Sequence, residues 1–146
     1  KTIGNKGDFG LKIKAGKFLN AEQISFIDYK HFNGNLTHIL PSTSNLNGFN
    51  LLPYYTHSTN DAYVETHIEH NFKGYIMNKI PLLNKLQWNL IGGFHQINIP
   101  NFKPYQEMVI GFDNIGWGKF RFLRIDYVRS YQNGFQGDGV MFGLKF

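Results

Sequence analysis

The stretch Ala62-Tyr-Val-Glu-Thr-His-Ile-Glu-His-Asn-Phe-Lys73 decides the fold class. In an extended chain successive side chains point to opposite sides. Ala62, Val64, Thr66, Ile68, His70 and Phe72 therefore share one face, and Tyr63, Glu65, His67, Glu69, Asn71 and Lys73 share the other. A helix would mix these two sets around its axis, whereas a strand keeps them apart. Only His70 interrupts the apolar side.

The same design repeats outward from this stretch. Phe9, Leu11, Ile13 and Ala15 alternate with Gly10, Lys12, Lys14 and Gly16. Leu86, Trp88, Leu90 and Phe94 oppose Gln87, Asn89 and His95, and Met108, Ile110 and Phe112 oppose Glu107 and Asp113. Leu123, Ile125 and Tyr127 oppose Arg124 and Asp126, with a slip of phase between Phe122 and Leu123 that a β-bulge would produce. Val140, Phe142, Leu144 and Phe146 oppose Met141, Gly143 and Lys145. Turn-forming clusters separate the segments: Asn33-Gly34-Asn35, Pro41 to Gly48, Ser58 to Asp61, Pro100 to Pro104, Asn114 to Gly118 and Gln132 to Gly139. The pattern predicts eight strands near 9–17, 23–33, 49–57, 62–76, 86–97, 105–113, 119–130 and 139–146, with a helical turn within 78–85. Residues 1–146 read as one all-β domain, without internal repeats or an interdomain linker.

Composition narrows the class. Cysteine is absent, which removes disulfides and thiolate metal sites. Charged residues make up 17% of the chain, against roughly 25% in soluble domains, and 14 Phe and 8 Tyr give an aromatic content of 16%. The net charge of +5 invites a nucleic-acid reading, but Lys and Arg are scattered and form no basic run, so no nucleic-acid partner is expected. No apolar run suits a transmembrane helix. A transmembrane strand needs only about 9–11 residues, every second one apolar. Lys1-Thr-Ile-Gly-Asn-Lys-Gly-Asp8 carries no apolar leader stretch, as expected of a mature form or of a chain shorn of an N-terminal part.

Alternation leaves open which face points outward. A soluble barrel turns its apolar face inward; an outer-membrane barrel presents that face to lipid and lines its lumen with the polar one. Three features favour the membrane. The 62–76 segment is long for a soluble strand. Aromatics such as Phe18, Tyr54, Tyr63, Tyr75, Trp117 and Tyr131 gather at segment ends, where interfacial girdles form. The chain ends on Phe146 inside an alternating strand. The expected lipid-facing set is Val64, Ile68, Phe72, Trp88, Leu90, Phe94, Ile110, Ile125, Val140, Phe142 and Leu144. The expected lumen-facing set is Lys12, Lys14, Glu65, His67, Glu69, Arg124 and Asp126.

Val140-x-Phe142-x-Leu144-x-Phe146 resembles the C-terminal signature of bacterial outer-membrane β-barrels. The resemblance implies that Phe142, Leu144 and Phe146 form a signal read by the barrel assembly machinery. Phe26-Ile-Asp-Tyr-Lys-His-Phe-Asn-Gly-Asn35, Leu52-Pro-Tyr-Tyr55, Ser58-Thr-Asn-Asp61, His70-Asn-Phe72, Asn78-Lys-Ile-Pro-Leu-Leu83 and Arg124-Ile-Asp-Tyr-Val128 resemble a Bacteroidota outer-membrane β-barrel family of unknown function. Members of that family carry an N-terminal carboxypeptidase-regulatory-like domain ahead of a large barrel, so the resemblance implies the C-terminal barrel portion of a longer protein. It also implies the outer membrane as location, and the bilayer, the assembly machinery and other outer-membrane subunits as partners. With the last strand ending at the periplasm, 58–61, 98–104 and 131–138 would be extracellular, and 34–48, 77–85 and 114–118 periplasmic.

Signals for chemistry are thin. Glu65, His67 and Glu69 project from one face and, with His57, His70 or His95, offer metal-ligand chemistry. No HExxH spacing supports that, and a polar lumen wall accounts for them. Arg124 and Asp126 read as an intraluminal ion pair, since no nucleophile stands at a recognisable spacing. No catalytic residue, metal or cofactor is expected. The expectation is a membrane-embedded scaffold, pore or assembly and translocation component. The alternatives are a soluble lipocalin-like barrel holding a lipid or small apolar ligand, and a metal-dependent hydrolase built on Glu65, His67 and Glu69.

Overall fold

A computed structural model describes residues 1–40 and 44–145. The chain forms one antiparallel meander in sequence order: β1 (Asp8–Gly16), β2 (Tyr63–Asn71), β3 (Asn89–Asn98), β4 (Tyr105–Trp117), β5 (Phe120–Tyr131) and β6 (Phe135–Leu144). Each strand pairs with its predecessor, so the connections fall at two ends. One end holds 72–88 and the β4–β5 turn; the other holds 17–62, 99–104 and the β5–β6 turn.

The all-β expectation holds, with two corrections. Among the described residues six strands form, not eight, and they do not close into a barrel. The expected strands 23–33 and 49–57 instead belong to the long connection between β1 and β2, whose described residues form the 3-10 turns Phe26–Asp28 and Asn45–Asn47 and isolated bridges at Lys30, Ile39 and Thr59. The physical reason lies in their backbone partners. The N–H groups of Asn50 and Leu51 donate to the Glu107 carboxylate at 2.8 Å each, an acceptor on a distant strand that displaces a ladder. Downstream, Pro53 and the positive φ of Tyr55 break extended pairing. β2 likewise ends at Asn71, short of the expected 76, because Lys73 takes a positive φ and α1 (Gly74–Met77) follows.

The segment 29–57 acts as a strap across one face of the sheet. Near β1, Lys12 Nζ donates to Asn47 Oδ1 at 2.7 Å. At the far side, Leu40 N–H donates to Phe142 O and Phe142 N–H to His38 O, both at 2.7 Å, so His38 to Leu40 runs parallel along the outer edge of β6. The stretch 34–48, expected beside 77–85 and 114–118, therefore belongs to the connection of the opposite end and lies over the sheet.

The strap and sheet enclose two apolar clusters: Phe32, Phe49, Leu52, Ile97, Ile99 and Tyr105, and Leu40, Val109, Val128 and Met141. Burying each such side chain fully stabilises by about 1.5–3 kcal/mol, so these contacts are what hold the strap down.

The opposite face has no cover among the described residues. Leu11, Ile13, Val64, Met108, Ile110, Val140, Phe142 and Leu144 are all exposed on it. Cross-strand register arranges them in rows, for example Leu11, Ile68, Phe94 and Met108, then Leu90, Phe112, Ile125 and Phe142. The β1 edge meets Lys1 through the Phe9 N–H. Beyond Phe9 no strand among the described residues borders it. No described helix is long and apolar enough to cross a membrane.

Candidate functional site

The covered face of the sheet carries the chain's buried charge. Glu65, His67, His95, Glu107, Asp113, Arg124, Asp126 and Ser130 all lie on it and are all buried. Period-two alternation alone places them there, since each neighbours an outward apolar residue.

Three linked groups can be traced. First, Lys14 Nζ contacts the Glu65 carboxylate at 3.0 and 3.1 Å, Glu65 Oε1 lies 2.7 Å from His67 Nε2, and His67 Nδ1 lies 2.9 Å from His95 Nδ1. The last pair requires one ring to donate and the other to accept. His95 Nε2, at the end of this chain, is buried without a hydrogen-bond partner.

Second, Glu107 gathers the strap. Besides the two backbone N–H groups, Tyr105 donates its hydroxyl to the carboxylate at 2.8 Å. Phe49 then packs its ring on His67, with centroids 4.9 Å apart, and on Tyr105 at 5.7 Å.

Third, Arg124 on β5 donates to Asp126 at 2.7–3.0 Å and to Glu69 on β2 at 2.8 Å. Strands stand about 4.8 Å apart, so β2 and β5 are separated by about 14 Å around the sheet. Arg124 and Glu69 bridge that span by reaching toward each other over the polar face. Glycines make the room: a Cβ on Gly111 would overlap the Asp126 carboxylate and the Ile125 carbonyl, and one on Gly93 would crowd Val109. Asn45 of the strap closes the group, giving Nδ2–H to Asp126 at 2.8 Å and its backbone N–H to Glu69 at 3.1 Å.

At the strap end of the sheet, His57 is buried in a cleft lined by Leu51, Thr56, Tyr105, Ser130 and Gln132. Burial pushes its imidazole below the ordinary value, partly countered by the Gln132 amide 2.9 Å away.

The residues named from sequence sort by face as follows. Val64, Ile68, Leu90, Phe94, Ile110, Ile125, Val140, Phe142 and Leu144 lie on the uncovered face, and Trp88 packs there against Phe112 at 5.8 Å. Phe72 follows the end of β2 and meets His70 edge to face, with ring centroids 4.3 Å apart. Lys12, Lys14, Glu65, His67, Glu69, Arg124 and Asp126 lie on the covered face. Phe146 is outside the described residues.

Of the metal candidates, Glu65, His67 and His95 meet in the hydrogen-bonded chain described above, while Glu69, His70 and His57 lie elsewhere. Glu69 is engaged by Arg124, His70 faces Phe9 and Phe72, and His57 sits with Gln132. Among the described residues no group of three or more His, Asp or Glu is arranged to hold an ion. What sequence reasoning missed is the strap itself, above all Asn45, Phe49 and Asn50. The amide-rich run Asn45-Leu-Asn-Gly-Phe-Asn50 was its one available signal.

No curated protein and no solved structure matches the chain. Residues 1–112 match the model described as the C-terminal domain of a family of unknown function, DUF5686. The chain therefore belongs to that family, as its C-terminal domain.

Proposed function

We propose that this chain is part of the wall of a bacterial outer-membrane β-barrel, with its uncovered apolar face against acyl chains and its charged face enclosed. Its role is that of a membrane-embedded scaffold, pore or assembly and translocation component, not of an enzyme. One observation carries the reading: the covered face encloses charged side chains among its apolar clusters, while the opposite face is apolar and open. Asp126, Glu107 and His67 are each 0% exposed while Ile110, Leu144 and Ile13 are 54%, 54% and 60% exposed. Burying charge is tolerated where ion pairs and hydrogen bonds satisfy it, and an apolar outer band is what hydrocarbon selects.

The same solvent constrains the edges. Hydrocarbon leaves no water for unpaired backbone groups, so spanning strands form a closed ring. On this reading further strands, from the same protein or from a partner, would join at the β1 edge beyond Phe9, which no strand among the described residues borders, and would displace the His38–Leu40 cover to reach β6. Phe142 and Leu144 lie where the resemblance to outer-membrane C-terminal signatures places an assembly signal, and the assembly machinery is the expected partner.

The test is detergent dependence. The barrel reading expects the chain to need detergent or lipid to stay monodisperse and folded. A folded, monodisperse protein in plain buffer would replace this reading with the soluble lipocalin-like one.

A further inference from the structure

The excess positive charge of the chain is concentrated at one end of the sheet. The β2–β3 connection, 72–88, carries Lys73, Lys79 and Lys85, and the β4–β5 turn region, 114–122, carries Lys119 and Arg121; neither contains an acidic residue. Over the rest of the chain acids and bases balance, so these two connections hold the entire formal net charge of +5. At the opposite end Lys17, Lys30 and Lys103 are matched by Glu22, Asp28 and Asp61.

The two cationic connections form one surface. Arg121 Nη1 donates to Leu86 O, and Asn114 Nδ2 to Gln87 O, both at 2.7 Å. On that surface Leu82, Trp117 and Phe120 are 78%, 88% and 75% exposed. Trp88, packed on Phe112, joins it to the uncovered apolar face. Lys73 pairs with Asp8, and the Lys79 ammonium stands 3.9 Å from the Tyr75 ring centroid. Among the described residues, Lys79, Lys85 and Lys119 meet no carboxylate.

Ammonium groups without a carboxylate partner, beside exposed Trp, Phe and Leu at the margin of an apolar belt, suit a layer that is anionic above and apolar below. Amphipathic rings settle at the headgroup level, and lysine stems run along apolar surface while their charges reach the phosphates. We propose that this end of the sheet docks on anionic phospholipid headgroups, with Lys79, Lys85 and Lys119 on the phosphates and Leu82, Trp117 and Phe120 at the acyl boundary. The inference rests on the barrel reading and adds to it an orientation and a lipid class. A nucleic acid's phosphate backbone would leave the exposed Leu82 and Phe120 without an apolar partner.

Trp88 and Trp117 are the chain's two tryptophans and both lie here, so its tryptophan emission reports this end alone. The test reconstitutes the chain in mixed phosphatidylcholine–phosphatidylglycerol vesicles, with brominated acyl chains on one lipid class or the other. Brominated phosphatidylglycerol is expected to quench several-fold more strongly than brominated phosphatidylcholine, the preference fading as salt screens the charges. In K79Q/K85Q/K119Q the preference disappears while quenching by both lipids, and the β-sheet circular dichroism, persist. Equal quenching of the wild-type chain by the two lipids, or a preference that survives in the triple variant, overturns the inference and leaves the barrel reading standing. Quenching by neither lipid, with an aqueous quencher reaching both tryptophans, overturns both.

Discussion

Replacing Arg124 with Met isolates what the enclosed charge contributes. The guanidinium is 2% exposed and reaches Asp126 through Nε and Nη2 and Glu69 through Nη2, at 2.7–3.0 Å. Met keeps an unbranched apolar stem and loses the charged head. Asp126 retains only the Asn45 amide among the contacts described, and Glu69 retains the Asn45 N–H and the Ser44 hydroxyl. Both carboxylates then stay enclosed without a counter-ion. Removing one partner of a buried ion pair costs about 3–5 kcal/mol, because the remaining charge is stranded. A neutral set, Arg124→Met with Glu69→Gln and Asp126→Asn, should recover most of that loss, since replacing a whole buried pair is often close to neutral. The assay is denaturant unfolding of lipid-reconstituted protein followed by circular dichroism. A loss under about 1 kcal/mol for Arg124→Met, the value of an exposed pair, refutes the reasoning. So does a neutral set as unstable as the single variant.

The two faces should respond oppositely to charge. Ile68→Arg, in the middle of the uncovered face, should cost about 2–4 kcal/mol near the bilayer midplane, while Lys14→Arg on the covered face should cost under about 0.5 kcal/mol; urea midpoints in vesicles compare them. Phe49→Ala removes the ring seated on His67 and Tyr105; a loss of about 3–5 kcal/mol should come with protease cleavage inside the strap before any strand is cut. Gly111→Ala should cost about 1–3 kcal/mol by overpacking, since its methyl meets the Asp126 carboxylate and the Ile125 backbone. His57 is held below the ordinary histidine value by burial, so the folded state binds fewer protons there than the unfolded one. Its contribution is present above the unfolded value of about 6.5 and is lost as pH falls through that region. Amide exchange around Thr56 to Thr59 should accordingly quicken on acidification, and pH-independent exchange there would contradict this.

The sequence discloses faces more readily than closure. Alternation is local, so Glu65 and Ile68 separate to opposite faces of the sheet from their neighbours alone, and the slip at Phe122–Leu123 coincides with the register shift between Ile115 and Gly116. The strap was not legible, because what decides it lies far along the chain. Phe49, Leu51 and Pro53 alternate like an edge strand, yet Glu107, more than fifty residues away, takes the backbone hydrogen bonds that a ladder would need. The same holds for the reach of Arg124 to Glu69, which depends on the strand order and on the space left at Gly111. Strand count failed for this reason, and the polar face was found without the segment that fills it.

The chain has no cysteine, so single cysteines along β4 read the environment of its two faces directly. With spin labels at 107 to 112 in reconstituted protein, Met108, Ile110 and Phe112 should be open to membrane-dissolved oxygen and closed to a water-borne relaxing agent, with a period of two residues. Labels at Met108, Ile110 and Phe112 that meet the water-borne agent, in protein that stays monodisperse without lipid, would mean that this face looks onto water.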